Sequence, residues 1–437
     1  MRSKRLARQL AVALVFSLAG VAVPVFAGGF EIYTHGAKAT GLGGAFSAQA
    51  DDPSAIFYNP AGLAFQRERS FLAGVSSISL GDTDFRGLPP FPDSSASGTR
   101  LDRIVHAPHL YALWPLGERL TIGLGINTPF LFSTEWENPD AWAGRFIATK
   151  AELNAVDLVP TVGVRVSDSF SIGVGIAARA ASVELQRRLA IPDPFGNTGI
   201  VEFARLVMET DSDVDVGFNV GLLYRPTETF SVGLTYRSPI DVKLDGYGRL
   251  TQIPTGNPEL DLLLVVPGSP FEQPFDVDLP MTTSFDFPDS LSLGIAYRFN
   301  DDVIAEVDFN WTGWGRFDRI TTEFPEYPEQ DFVRVENWVD VWHYRIGVNW
   351  SLNSSNEIRW GFIYDQSPQP DESIGPIIQD ADRRGFTFGY GRVGQHVNFD
   401  LALEYAPYQK RTPSVSNNNF FGTYETSTWL LAASLGF

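Results

Sequence analysis

The sequence predicts an all-β membrane fold: about 14 antiparallel strands closed into a transmembrane barrel, with an N-terminal, partly helical hatch in the lumen. Three observations predict it. Most of the chain runs in segments of about ten residues that alternate apolar and polar side chains. The connections between them alternate short and long. Some forty residues near the N-terminus, roughly those before Ser70, lack the alternation altogether.

Residues 1–27 read as a secretory leader. Arg2, Lys4, Arg5 and Arg8 form a basic region, Leu10 to Val25 is apolar, and Val25-Phe26-Ala27 ends like a small-residue cleavage site. The stretch is too short and wrongly flanked for a spanning helix, and no later run of ~18 apolar residues follows. A mature chain from Gly28 is expected, and loss of the four basic residues takes the formal charge from −19 to −23. Such acidity argues against nucleic acid as a partner. With no Cys, a disulfide-stapled extracellular scaffold is excluded.

Residues 28–68 form the expected hatch. Gly36, Gly41, Gly43, Gly44, Pro53 and Pro60 break the segment into short pieces, and Asp51 or Asp52 is placed to cap a short helix from Pro53. So irregular a backbone cannot lie in lipid, where its polar groups would be unpaired. A barrel of this size has a lumen wide enough to leak, so the segment is expected to plug it, with Asn59-Pro60 turning the chain into the wall.

Residues 69–437 are the expected barrel. In VDVGFNVGLLYR, Val214, Val216, Phe218, Val220, Leu222 and Tyr224 share one face, opposite Asp215, Gly217, Asn219 and Gly221. After PTET, Phe230, Val232, Leu234, Tyr236, Ile240, Val242 and Leu244 are expected to repeat the pattern on one face. It recurs at Leu120–Ile126, Leu291–Phe299, Val303–Trp311, Trp342–Trp350, Ile358–Tyr364 and Val397–Tyr405. Aromatics near the strand ends fit the girdles of a lipid-facing band, and a soluble sandwich has no use for them there. Short connections fall near 115–118, 167–169, 226–229, 300–302, 351–356 and 391–394. Long ones fall near 81–103, 128–153, 186–212, 246–284, 318–337, 366–381 and 407–425. The last strand, TSTWLLAASLGF, ends on Phe437.

No catalytic or metal constellation emerges. His106 and His109 are three apart on a strand, so they face opposite ways and cannot chelate together. There is no Gly-x-Ser-x-Gly elbow, and GLGG at 41–44 has neither a preceding strand nor a following Lys. The Asp-rich stretch at 211–215 reads as polar loop and lumen surface. The expectation is therefore no enzyme, no cofactor and no metal.

Several segments together resemble a known family: GGF at the expected new N-terminus, GLGGAFSAQADDPSAIFYNPAG, GLGINTPF, LTYRSPI, SLSLGIAYRFNDDVIAEVDFNWTGWGRFDRI, VWHYRIGVNW, YDQSPQPDE and DADRR. In this order, over essentially the whole mature chain, they resemble the FadL-type outer-membrane transporters of long-chain fatty acids and other hydrophobic compounds. The resemblance implies a 14-stranded barrel in the bacterial outer membrane, in contact with its lipid and lipopolysaccharide, and a monomer. It implies ligand capture among the extracellular loops, a pocket at the hatch N-terminus, and lateral exit through a gap made by a kinked strand. By the same resemblance, Gly28, Gly29 and Phe30 form the pocket, and Arg334 and Arg187 (or its neighbour Arg188) meet the ligand carboxylate. Asn59, Pro60 and Ala61 mark the lateral opening, and Asp365 is a lumen-facing acid close to the kink. The loop run LDLLLVVPGSPF is expected in the landing groove. A long-chain fatty acid is the first expectation for ligand, an aromatic or alkane hydrocarbon the alternative. An open diffusion porin is disfavoured by residues 28–68, and an outer-membrane hydrolase by the want of a Ser-His pair.

Overall fold

The computed structural model describes residues 28–437 apart from 82, 196–198 and 212. The leader expected at 1–27 lies outside the described residues.

Fourteen antiparallel wall strands close on themselves. The first five are Ser70–Ser79 (β1), Ile104–Pro115 (β2), Leu120–Glu135 (β3), Lys150–Arg165 (β4) and Phe170–Pro192 (β5). Each of the next five is interrupted once. They are Ile200–Thr210 with Asp213–Tyr224 (β6), Phe230–Arg237 with Ile240–Gln252 (β7), and Asp278–Phe287 with Ser290–Arg298 (β8). Val303–Thr312 with Arg319–Glu323 (β9) and Phe332–Val335 with Val341–Asn353 (β10) complete that group. Four ten-residue strands end the wall: Asn356–Asp365 (β11), Arg383–Arg392 (β12), Asn398–Pro407 (β13) and Ser427–Gly436 (β14). Each pairs with its sequence neighbour, and β14 closes on β1 with Gly436 opposite Leu72 and Trp429 opposite Ser79. Closure leaves no edge to recruit another chain.

Alternation sets the two faces. On β13, Leu401, Leu403 and Tyr405 are exposed to the lipid side while Ala402 and Glu404 between them are buried in the lumen. Tyr405 packs across the ladder on Trp429, ring centres 4.4 Å apart, in the aromatic rim. His106 is exposed and His109 buried, on opposite faces of β2.

The long connections are shorter than the sequence suggested. β5 and β6 continue through most of 186–212, β7 and β8 through part of 246–284, and Asp213–Asp215 is strand. The alternation persists there, but polar residues such as Arg205 and Arg249 occupy the outward face. A search for apolar faces therefore misses it. Above the wall, a three-stranded sheet (Asp84–Gly87, Ser97–Thr99, Gly422–Glu425) buries Phe85 and Tyr424 beside the stacked pair Trp136 and Trp142.

Residues 28–66 fill the lumen. Two short helices, Ala37–Gly41 (α1) and Ala55–Tyr58 (α2), precede a 3₁₀ turn at Pro60–Phe65. α2 starts at Ala55 rather than Pro53 and has no side-chain cap; Asp52 accepts the N–H and hydroxyl of Ser54 in the turn before it. Between the helices the hatch backbone is held by two wall carboxylates on β9. Glu306 accepts the N–H groups of Ala48 (2.6 Å) and Gln49 (3.0 Å), and Asp308 those of Phe46 (3.2 Å) and Ser47 (3.1 Å). These bonds satisfy backbone groups that are buried away from solvent.

The approach is close enough to need glycine in the wall. A Cβ on Gly233 would lie 2.0 Å from the Ser47 carbonyl oxygen. Gly233→Val is expected to preserve the barrel but push the hatch off β7. Planar-bilayer recording should then show conductance several-fold above wild type; an unchanged conductance would remove this account of hatch docking.

Candidate functional site

The β2–β3 ladder runs from Pro115 opposite Thr121 to Leu110 opposite Ile126 and stops. It resumes only where Arg100 bridges Trp136 and the Leu101 N–H meets the Glu135 carbonyl. Between these points residues 102–109 and 127–134 form no rung, although β3 keeps its ladder to β4 up to Glu135 opposite Lys150. The cause is local: the β3–β4 register breaks across Thr128-Pro129, and Pro129 has no N–H to donate. β3 is therefore irregular at this point, with its register to β4 shifted between Asn127 and Phe130.

The hatch N-terminus takes the free edge. Ile32 donates to the Pro129 carbonyl (2.8 Å), and Leu131 donates to the Phe30 carbonyl (3.2 Å). That pairing drives the Phe30 ring into an aromatic cage. Trp314 lies at 4.7 Å between ring centres, Phe317 at 5.4 Å, Trp338 at 5.5 Å, Phe132 at 5.6 Å and Phe130 at 5.9 Å, mostly edge-to-face or tilted. Inward excursions of β9 (Trp314–Arg316) and β10 deliver the two Trp. Gly29 adopts φ +66°, and any Cβ there would meet Trp314 and Trp338 at 2.8 and 2.9 Å. A partly open cavity flanks this strand, lined by Gly29–Thr34, Leu131–Thr134, Ile78, Arg383 and Glu404.

Gly28 is buried beside His343 and Asp365. Asp365 is wholly buried and anchored by Arg383 (2.8 Å) and Arg345 (3.1 Å), with His343 at 3.3 Å. It faces the lumen, as expected, but it stands on β11 and reaches the irregular point of β3 only through the hatch N-terminus. Gly29 donates to Asp380 (3.1 Å) in the connection after β11, a carboxyl pushed above its ordinary range by burial. Sequence reading missed Asp380 and the aromatic cage. The Trp in WTGWGRF and ENWVDVW signals the cage only once the two turns are known to bend inward.

Arg334 is not free. Its Nε lies 2.6 Å from Glu336, which is fully buried and accepts the Trp338 indole N–H (3.2 Å). Burial raises the Glu336 carboxyl above its ordinary value, and Arg334 pulls the other way. Arg187 differs. Its guanidinium lies over the Phe332 ring, 5.6 Å from the centre, and its Nε is buried with no hydrogen-bond partner. Among the described residues no carboxylate lies within ion-pair distance of it, whereas Arg188 pairs with Asp140.

Arg187 borders an extracellular apolar cluster. Leu260 and Leu264, on and just after helix Pro258–Leu263 (α3), pack with Phe203, Leu206, Met208 and Phe324, while Leu262, Val265 and Val266 stay exposed. Leu185 touches both this cluster and the one around Phe30, so apolar contact runs from the outer loops to the cage.

Asn59-Pro60-Ala61 does not lie at the β2–β3 gap. Asn59 donates to Ser47 (2.8 Å) and to the Leu222 carbonyl of β6 (3.1 Å), and its Oδ1 accepts the Ala61 N–H (3.1 Å). Ser171 of β5 donates to the Ala61 carbonyl (2.8 Å). The motif is thus fixed to β5 and β6; around it, Ile56 and Leu63 are the hatch residues that pack on the lower part of β3.

Comparison with known proteins agrees with this architecture. A family described as "Outer membrane protein transport protein (OMPP1/FadL/TodX)" matches residues 18–437. The "Long-chain fatty acid transport protein" of Escherichia coli O6:H1 is 22% identical over 419 residues, 91% of each chain. "Outer membrane protein P1" of Haemophilus influenzae is 22% identical, covering 85% of this chain and 84% of the other. Among solved structures, a Pseudomonas aeruginosa FadL homologue superposes with TM-score 0.81 at 20% identity, covering 94% and 99% of the two chains. The toluene transporter TodX of P. putida gives 0.69 at 18%, covering 93% and 99%. Both likenesses establish the fold.

The Arg334–Glu336 pair makes a separable prediction. Arg334→Ala strands a buried carboxylate and is expected to cost about 3–5 kcal/mol, read as a lower thermal midpoint. Adding Glu336→Gln should recover most of that loss; no recovery would mean that Arg334 acts by another contact.

Proposed function

The chain belongs to the OMPP1/FadL/TodX family of outer membrane transport proteins, and we propose that it carries long-chain fatty acids across the outer membrane without energy input. Transport of hydrophobic compounds across that membrane is what the family and its fold support. The finer reading concerns the ligand and the residues that meet it.

In this reading residues 28–68 are the hatch of a monomeric barrel, and the ligand lands on the apolar cluster around α3. The acyl chain gains about 0.8 kcal/mol per buried methylene, enough for capture without chemistry. Its carboxylate is costly to bury unpaired. The one observation that carries the ligand class is Arg187, a guanidinium at the inner edge of an apolar cluster with no carboxylate partner among the described residues. Arg334 takes a lesser part, because Glu336 already holds it. The chain then follows the apolar contacts to the cage, where Gly28, Gly29 and Phe30 bound the pocket, and leaves at the β2–β3 gap.

A second reading, uptake of aromatic or alkane hydrocarbons, draws support from the cage itself. Its five aromatic neighbours of Phe30 would suit a neutral ring as well as an acyl tail.

Binding to the detergent-purified barrel separates the two. A hydrogen-bonded charge pair contributes about 1.5–3 kcal/mol, so Arg187→Ala is expected to weaken oleate binding at least about tenfold. Toluene binding should not change, and Arg334→Ala should matter less to oleate. Oleate binding indifferent to Arg187→Ala, with tight toluene binding, would transfer the conclusion to hydrocarbons. Uptake is also expected to persist when the proton-motive force is collapsed and ligand consumption is held intact; its loss would exclude a passive route.

A further inference from the structure

The β6–β7 ladder is interrupted as well. Below, it pairs Tyr224 with Val232 through Asn219 with Arg237; above, Thr210 with Gly246 through Ala204 with Gln252. The register is the same in both stretches, so equal lengths of the two strands separate them. At the lower fork Ser238 donates to the Phe218 carbonyl (2.9 Å), and Phe218 donates to the Ser238 hydroxyl (2.9 Å). Above that, no rung joins Asp213–Gly217 to Pro239–Leu244.

Side-chain alternation explains the fork. β7 turns over at Ser238-Pro239: Gly233 and Thr235 face the lumen below it, whereas Ile240, Val242 and Leu244 do so above it. Over the same interval β6 keeps its lower phase, with Val214, Val216 and Phe218 facing outward. Facing residues therefore belong to opposite faces of the wall, and a shared ladder is impossible. Pro239 adds a missing donor, as Pro129 does on β3.

The fork is not sealed from inside. A narrow, partly open cavity ends on Phe218, Asn219, Arg237, Ser238 and Ile240. The Asn219 Oδ1 on its wall is buried and unpartnered. The hatch floors it, with Asn219 donating to the Ile56 carbonyl (3.1 Å) and Thr235 to that of Tyr58 (3.0 Å). On the lipid side Val214 and Val216 are 63% and 66% exposed. The side chain between the two spaces is Ile240, seated where Gly217 has no side chain: a Cβ there would come within 2.7 Å of it. The height is the outer rim of the apolar band. Pro239 is ten residues above the turn, the length at which β11–β14 end, and the outward residues beyond it are charged.

We infer that the β6–β7 fork is a second lateral portal, closed by Ile240 against Gly217, through which an apolar molecule passes between the lumen and the outer leaflet. The inference rests on the transport reading above and adds a route to it. A small neutral hydrocarbon or the tail of an acyl chain is the class that fits, because Val214, Val216 and Phe218 line the lipid side and Ile240 fills the gap, with Asp215 and Asp241 beside them.

The chain has no Cys, so an introduced pair can form only one bridge. A Cβ at 217 would lie 2.9 Å from the Ser238 Oγ, within reach of a disulfide in Gly217→Cys/Ser238→Cys. Uptake would be measured with labelled oleate and toluene. The oxidised double variant is expected to be several-fold slower than the same protein reduced, with single-Cys variants indifferent to redox state. Equal uptake in both states, with the bridge verified by mass, would overturn the portal while leaving the transport reading intact. Uptake of neither compound by wild type would count against the transport reading instead. The portal would then stand or fall on photolabelling by a fatty acid carrying a terminal diazirine: labelling at Val216–Phe218 supports it, and labelling confined to β2 and β3 refutes it.

Discussion

A backbone amide or carbonyl in hydrocarbon must have a partner, at a cost of several kcal/mol if it does not. The rest of this structure depends on that constraint. It forces fourteen strands to close through Leu72–Ser79 and Trp429–Gly436. It also limits where the wall can open. At Pro129 the lost rungs are replaced by Phe30 and Ile32, and at β9 and β10 the chain leaves the wall together, as Gly313 bonds Asp289 and Glu336 bonds Asp318. At these two places, where the ladder stops, other backbone takes over.

The same constraint governs the hatch. Its irregular backbone is buried, so its N–H groups need acceptors that the hatch itself does not supply. Glu306 and Asp308 provide them from β9, and Leu222 accepts from the Asn59 amide. Polar bonding holds the backbone of the hatch, while Tyr33, Phe46, Phe57 and Tyr58 pack edge-to-face within it.

The wall was largely legible, because a period of two needs only neighbouring residues. VDVGFNVGLLYR shows its faces without any knowledge of its partners. The interruptions were half legible. The Pro of NTPF and RSPI is visible, but whether it opens the wall depends on the phase of the neighbouring strand, which neither motif contains. Ion pairing was not legible: nothing in FVRVENW distinguishes an Arg334 held by Glu336 from one that faces a ligand. The aromatic cage joins residues near 30, 130, 314 and 338, a juxtaposition that only barrel closure and inward turns create.

The hatch N-terminus ties these features into one unit. Five successive residues touch the Asp365 cluster through Gly28, Asp380 through Gly29, the cage through the Phe30 ring, and the free edge of β3 through the Phe30 carbonyl and the Ile32 N–H. Extended chain has little slack over that distance. A ligand ring or tail that takes the place of Phe30 in the cage must move the Phe30 backbone, and that backbone supplies a partner for Leu131. Occupancy of the cage and pairing at the β3 interruption are therefore alternatives. Were a ligand to fill the cage, Leu131 beside the gap would lose that partner, with no motion transmitted through the barrel itself.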